Sequence, residues 1–191
     1  NDAAGIAEFS FGTDVLLGNN TVDLDVNNVQ ITTVNIGQNT SGVGVSGVAL
    51  QGYETINLNS TGSSNSIAFL NVPMDTGTAG KLVITGDKNL MLANEIRVIN
   101  GATGTTESFR YTGGVQQANG RLSAIDASEF TGDLTLNIAA GQLTTGKADT
   151  SGVVQNVTIT GGKGADKFIL ADTVQAGDSI TGGDGTDTLV V

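Results

Sequence analysis

Apolar residues along this chain occur in short runs, which alternate with Thr, Ser and Asn and are separated by clusters of Gly, Asn, Asp and Ser. Such alternation is typical of β-strands with one buried face. No segment keeps a helical period over about 11 residues. The pattern predicts an all-β chain, with a loop or short helix at Thr106–Arg121. It predicts strands at Val22–Val26, Val29–Ile36, Thr55–Asn59, Ile67–Val72, Leu82–Thr85, Leu90–Leu92, Ile96–Ile99, Leu134–Ile138, Val157–Thr160, Phe168–Leu170 and Thr188–Val191.

Several segments repeat one order: strand, glycine-containing turn, Asp, strand. The turn aspartates are Asp87, Asp133, Asp166 and Asp187, and an earlier copy, Thr61–Asn65, has Asn in that place. Gly and Asp are also ordinary turn residues, which is the simpler explanation of the early copies. Many short strands also fit a β-sandwich. The repetition instead favours a solenoid with coils of about 20 residues, insertions in the earlier coils, and turns stacked along one edge.

The last two copies share a nine-residue pattern, G-G-x-G-x-D-x-U-x, in which U is a large apolar residue. Gly161–Ile169 and Gly182–Val190 both match it. Glycines let the turn fold tightly, and the Asp adds a carboxylate. Calcium takes about six to eight oxygen ligands, so one turn supplies about half a shell. Asp166 and Asp187 are 21 residues apart, which predicts two stacked turns with calcium between them.

These two segments resemble the calcium-binding repeats of RTX proteins, which Gram-negative bacteria export by type I secretion. Their longer context, from Leu82–Leu92 through Leu122–Leu136 to the C-terminal end, resembles the β-helical part of surface-layer proteins. The resemblance implies a right-handed parallel β-helix or β-roll. Residues 1–80 would form its N-terminal coils or a small β subdomain, and residues 81–191 would end in the calcium-binding coils. Unlike long RTX domains, this chain has two full copies separated by a degenerate half-coil.

Carried over residue by residue, the resemblance implies ligands that are backbone carbonyls plus one carboxylate from each turn. The lower turn would supply Gly161, Lys163 and Asp166, facing Gly183, Gly185 and Asp187 in the upper turn. Asp184, inside the upper turn, is a further candidate metal-binding residue. Asp178, in a sequence that resembles the tail of the same repeat, suggests a further ion at the opposite edge.

Charge and composition restrict the partners. The chain has 19 acidic and 8 basic residues, a formal charge of −11, and no His, Cys or Trp. Nucleic-acid binding is not expected, because phosphates require clustered Lys and Arg. No apolar run is long enough for a membrane span. Without Cys, disulfides are excluded, and a metal is an alternative means of cross-linking the fold. The chain begins without Met and stops inside an apolar strand, so we expect a fragment of a longer protein.

A second acidic cluster, formed by Asp126, Glu129 and Asp133, allows two hypotheses. Some parallel β-helices act on polysaccharides with paired carboxylates. This chain offers no His as a general base and, with no Trp and two Tyr, few aromatics for stacking on sugars. We therefore expect no enzyme, and interpret Asp126 and Asp133 as a third calcium shell beneath the Gly161–Asp166 turn.

The sequence thus predicts a structural component of an extracellular or bacterial cell-surface layer, folded and assembled by calcium. The alternative is the calcium-binding segment of a larger secreted toxin, adhesin or enzyme whose active domain lies outside this chain. The expected partners are further copies of the chain, and cell-surface polysaccharide through regions outside it. Without calcium, the acidic turns would repel one another, and millimolar calcium would then supply folding free energy.

Overall fold

A computed structural model describes residues 6–11, 19–38, 53–74, 79–100, 121–137, 156–170, 174 and 176–191. The described residues contain thirteen strands and no helix: β1 Ile6–Phe11, β2 Thr21–Asn27, β3 Gln30–Gln38, β4 Thr55–Thr61, β5 Asn65–Met74, β6 Ala79–Gly86, β7 Leu90–Asn100, β8 Arg121–Asp126, β9 Leu134–Asn137, β10 Thr158–Thr160, β11 Lys167–Ile169, β12 Ser179–Thr181 and β13 Thr188–Val190. The all-β prediction is confirmed for this part of the chain, which holds no helix long and apolar enough to cross a membrane.

Odd-numbered and even-numbered strands form separate sheets. The seven-stranded sheet has the order β1-β3-β5-β7-β9-β11-β13, and the six-stranded sheet has the order β12-β10-β8-β6-β4-β2. Every strand pair within the described residues is parallel. A β-sandwich of antiparallel hairpins is therefore excluded for this part of the chain. Two parallel sheets that grow together, one strand each per coil, are compatible with a parallel β-helix or β-roll.

The predicted strand runs coincide with these strands, with informative differences. The two runs predicted at Leu90–Leu92 and Ile96–Ile99 form one strand, β7, which carries one extra residue opposite β5 between Ile67 and Phe69. Such a bulge interrupts the alternation on which the prediction rests. Strand β1 was not predicted, and β8 and β12 lie outside the predicted runs, although the repeated order of strand, turn, Asp and strand implies them. The irregular segment predicted at Thr106–Arg121 lies outside the described residues except for Arg121.

The core consists of apolar columns that run across the coils. Like residues pair across neighbouring strands because each inward position in one coil stacks on an inward position in the next. In the six-stranded sheet the column is Val22, Ile56, Leu82, Ile125, Ile159 and Ile180. In the other sheet it is Ile31, Ile67, Leu92, Leu136 and Phe168. Strand β4 shows the resulting alternation, with Ile56, Leu58 and Ser60 buried and their neighbours half-exposed.

Variation in coil length falls at one edge of the fold. Contacts in or directly beside consecutive even-numbered strands join residues 34, 26, 43, 34 and 21 positions apart. The connections from each even strand to the following odd strand remain short. Insertions therefore enter where an odd strand returns to the next even strand, and only the last coil approaches the expected 20 residues. The opposite edge is left as a compact stack of turns, which is hereafter called the turn edge.

The inward columns predict a contrast between neighbouring substitutions. Leu82→Ala removes a side chain that is 1% exposed and should lower the free energy of unfolding by roughly 2–5 kcal/mol. Val83→Ala, at the adjacent outward position, should cost less than about 1 kcal/mol. Urea unfolding followed by circular dichroism measures both. Equal losses at the two positions would contradict the alternation.

Candidate metal centre

Two glycine-rich turns lie directly one above the other at the turn edge. Thr158–Thr160 pairs with Ser179–Thr181 on one side of these turns, and Lys167–Ile169 pairs with Thr188–Val190 on the other. Between the paired strands, the Asp184 N–H donates to the Gly162 carbonyl over 2.9 Å. The structure thus brings together the two segments that the nine-residue pattern singled out.

Close approach explains why these turns contain glycine. A Cβ on Gly161 would overlap the carbonyl of Gly182, and a Cβ on Gly183 would overlap that of Gly162. Gly183 and Gly185 also have φ values of 97° and 103°, in the left-handed region that side chains other than hydrogen disfavour. Any larger residue at these positions would force the coils apart.

Asp166 is the buried acid of this stack. Asp166 is 1% exposed, and both of its carboxylate oxygens accept backbone hydrogen bonds. Oδ1 accepts from the Leu134 N–H over 2.9 Å, and Oδ2 accepts from the Gly162 N–H over 2.6 Å. Its own N–H donates to Asp187 Oδ1 over 2.9 Å. Asp166 is therefore bonded to the coil below, to its own turn and to the coil above.

The environment of Asp166 disfavours its charged form. Burial raises the pKa of this carboxyl, and the nearby Asp187 and Asp133 carboxylates act in the same direction. The hydrogen bonds from Gly162 and Leu134 oppose the shift without reversing it. A buried carboxylate beside other carboxylates is costly unless a cation or a proton balances it.

Oxygen atoms of both turns lie close to Gly161 and Gly182. The Gly182 carbonyl oxygen and Asp166 Oδ2 both lie within 2.7 Å of the point where a Gly161 Cβ would sit. Asp187 Oδ2 lies against Gly182 in the same way. Each carboxylate oxygen has two lone pairs, so one that accepts a single N–H keeps a free one. An all-oxygen set of carbonyls and carboxylates is what calcium prefers, and these residues fit that ion.

Carboxylates alone do not complete a site. In the part of the chain that the structure describes, no three acidic side chains come together in a way that would hold a metal. Backbone carbonyls would have to complete the shell. The Gly162 and Gly164 carbonyls face the upper turn at Gly183 and Gly185. The carbonyls of Gly161 and Lys163 stay predictions from the sequence. Gly162 and Gly164 are additional candidates that spacing alone could not indicate, because it does not show which way each peptide points.

The remaining predicted residues of the two turns lie nearer to solvent. Lys163 is exposed, its N–H donates to the Phe130 carbonyl over 2.8 Å, and its amine lies 3.5 Å from Glu129 Oε2. Asp184 is exposed and Asp187 is partly buried. Of the predicted carboxylates, Asp166 and Asp187 are the two whose oxygens lie against Gly161 and Gly182 in the stacked turns.

Asp133 lies beneath the lower turn but one position out of line with Asp166. Its Oδ1 accepts from the Ala165 N–H over 2.9 Å, whereas Leu134 is level with Asp166. A shift of one residue in a strand turns the side chain to the other face. Asp133 is therefore exposed, where it exchanges two hydrogen bonds with the Asn89 side chain over 2.9 and 3.0 Å.

Two other predicted ligands lie elsewhere. Asp126 forms an ion pair with Lys81 over 2.7 Å and accepts from the Ser128 N–H over 3.1 Å. The Lys81 hydrogen bond is the largest cause that lowers the pKa of Asp126, to about 2. Asp178, at the start of β12 and thus at the opposite edge, accepts from the Val157 N–H over 2.9 Å. The structure does not bring Asp126 or Asp178 to the stacked turns.

Comparisons with models of known protein families, with curated proteins and with solved structures find no match to this chain. Its function is therefore inferred from the sequence and from this geometry.

The raised pKa of Asp166 predicts an unusual pH response in the presence of a chelator. A group whose pKa is raised on folding contributes stability below its unfolded value of 3.8, and this contribution is lost as pH rises through the folded value. Acidification from neutral pH towards 4 should therefore stabilise the last coils more in the wild type than in Asp166→Asn. Urea unfolding across this pH range measures the difference. Identical pH slopes in both proteins would contradict the prediction.

Proposed function

We propose that this chain is a calcium-stabilised structural segment of an extracellular or bacterial cell-surface protein layer, built as a right-handed parallel β-helix or β-roll. The observation that carries the proposal is the close packing of backbone carbonyls and of the Asp166 and Asp187 carboxylates against the glycines of two stacked turns. The proposed hand follows from the strong preference of parallel crossover connections for right-handedness.

Calcium would act as a cross-link between coils. Asp166 and Asp187 would supply charge, and the carbonyls of Gly162, Gly164 and Gly182 would supply neutral oxygens. The ion would offset the burial of Asp166 and the repulsion between carboxylates that the apo turns carry. Because calcium would bind the folded turns and not the separated ones, its binding free energy adds to the stability of the fold.

The composition supports an extracellular setting. The chain lacks Cys, so disulfides cannot cross-link its coils, and its formal charge is −11, so its acidic residues outnumber the basic residues that could balance them. Calcium at millimolar concentration would supply both a cross-link and positive charge. At a free concentration of 100 times its Kd, it would stabilise the fold by about 2.7 kcal/mol. Intracellular calcium is far too dilute to saturate a site of modest affinity.

A structural role is favoured over catalysis because Asp126 and Asp133, of the second acidic cluster, are already used in structural bonds. Asp126 pairs with Lys81, and Asp133 with Ala165 and Asn89. These are the carboxylates that an acid–base mechanism would require. On the outer face of the six-stranded sheet, Asp23 and Asp25 likewise accept from Asn57 and Asn59 over 2.6 and 2.8 Å. Such cross-strand bonds stiffen the solenoid, as a layer component requires.

Calcium should raise the stability of the chain through the two stacked turns. We expect near-saturating calcium to add about 2–3 kcal/mol to the free energy of unfolding, and Asp166→Ala with Asp187→Ala to abolish most of this gain. The matched control, Asp23→Ala with Asp25→Ala, removes the same charge from an exposed strand and should keep the gain. Urea unfolding with calcium or chelator measures all three proteins. An equal calcium response in both double variants would overturn the proposed site.

Assembly distinguishes the layer hypothesis from the alternative, a calcium-binding segment of a larger secreted toxin, adhesin or enzyme. A layer component should form ordered sheets or filaments when calcium is added to the concentrated protein, and electron microscopy would show them. The Asp166→Ala and Asp187→Ala double variant serves as the control that lacks the ion site. A protein that binds calcium but stays monomeric at high concentration, by analytical ultracentrifugation, would favour the alternative.

A further inference from the structure

Asn65 occupies the same place in its turn as Asp166 and Asp187 occupy in theirs. It is 2% exposed, and its Oδ1 accepts from the Val29 N–H, in the coil below, over 2.7 Å. Asp166 makes the same bond to Leu134, and Asp187 makes it to Asp166. Because Oδ1 accepts the Val29 N–H, the Nδ2 group must point into the turn.

The Nδ2 end of the Asn65 side chain is surrounded by oxygens, unlike the Asp166 carboxylate. Four oxygens lie around Nδ2: Ser60 Oγ at 2.8 Å, the Ser63 carbonyl at 2.9 Å, the Thr61 carbonyl at 3.0 Å and the Val26 carbonyl at 3.3 Å. An amide nitrogen carries two hydrogens, so this oxygen set exceeds what it needs. A bound cation also gathers several oxygens around one centre, as this amide donor does.

Peptide orientation in the two turns matches the side chain that each contains. Asn65 Nδ2 donates to the carbonyl four residues earlier, at Thr61. Asp166 Oδ2 accepts from the N–H four residues earlier, at Gly162. The first turn directs oxygen at a donor and is neutral, whereas the second directs N–H at an anion and leaves a net charge to be balanced.

The Asn65 turn also joins three coils without any ion. Below, the side chain is bonded to Val26 and Val29. Above, the Asn65 N–H donates to the Asn89 carbonyl over 2.8 Å, and the buried Ser60 hydroxyl donates to the Lys88 carbonyl over 2.8 Å. The polar atoms of the Asn65 side chain and the Ser60 hydroxyl all have hydrogen-bond partners. The turn therefore requires no counter-charge.

We propose that the Asn65 amide takes the place of the cation in the N-terminal half of the turn edge. The coils from β2 to β7 then fold and stay folded without calcium. They support the coil of β8 and β9, on which the calcium-dependent coils from β10 to β13 stack. The claim that the coils from β2 to β7 fold without calcium rests on the Asn65 contacts alone. The claim that calcium-dependent coils stack above them rests also on the proposed function.

Hydrogen exchange on the full chain, followed by mass spectrometry of peptides, tests both halves separately. In chelator, peptides from residues 55–74 and 79–100 should remain protected, while peptides from residues 156–191 exchange at least about tenfold faster than in calcium. Fast exchange of residues 55–74 in chelator, reversed by calcium, would overturn the inference and leave the proposed function standing. Equal protection of residues 156–191 in both conditions would overturn the proposed function instead.

A single substitution tests the amide directly. Asn65→Asp places a carboxylate oxygen among the oxygens that now surround Nδ2. Residues 55–74 should then exchange about tenfold or more faster in chelator than in the wild type, and calcium should restore most of the protection. Ser64→Asp adds the same charge at an exposed position of the same turn and should leave exchange within about twofold of wild type. Unchanged exchange in Asn65→Asp, or a loss that calcium does not reverse, would overturn the inference.

Discussion

The turn edge depends on one recurring bond, in which an Asn or Asp side chain accepts a backbone N–H from the coil below. It joins Asn65 to Val29, Asp166 to Leu134 and Asp187 to Asp166. Where a parallel strand begins, its first N–H points along the stack and needs an acceptor when buried. The bond supplies that acceptor and holds a polar side chain at an inward position.

The chemistry of that side chain then decides what else the turn requires. An amide accepts with one end and donates with the other, so the Asn65 turn is neutral and satisfied by Ser60, Thr61 and Ser63. A carboxylate only accepts, so the Asp166 turn concentrates negative charge in a buried place. One geometry thus gives a neutral turn with its hydrogen bonds made near the N-terminal end, and a pair of turns that hold buried negative charge near the C-terminal end.

Glycine serves the same edge by letting successive turns approach until their backbones touch. At Gly161 and Gly183 a Cβ would overlap a carbonyl of the neighbouring coil. The closeness that excludes side chains also crowds carbonyl oxygens and carboxylates into a small volume. Under the proposed function, tight stacking and calcium binding would share one structural cause, and a substitution that loosens the turns should weaken both.

Most strands, the turns and the paired motif could be predicted from the amino-acid sequence, because alternation and glycine–aspartate spacing are local features. Even the atypical Asn65 copy is visible in it. The register between coils, by contrast, is set by tertiary packing and is visible in the folded chain alone. It separated Asp133 from Asp166 by one position, paired Asp126 with Lys81, and surrounded Asn65 Nδ2 with oxygens. Insertions of varying length separate the stacked strands, and a shift of one residue reverses every side chain, so spacing along the chain does not fix which atoms meet.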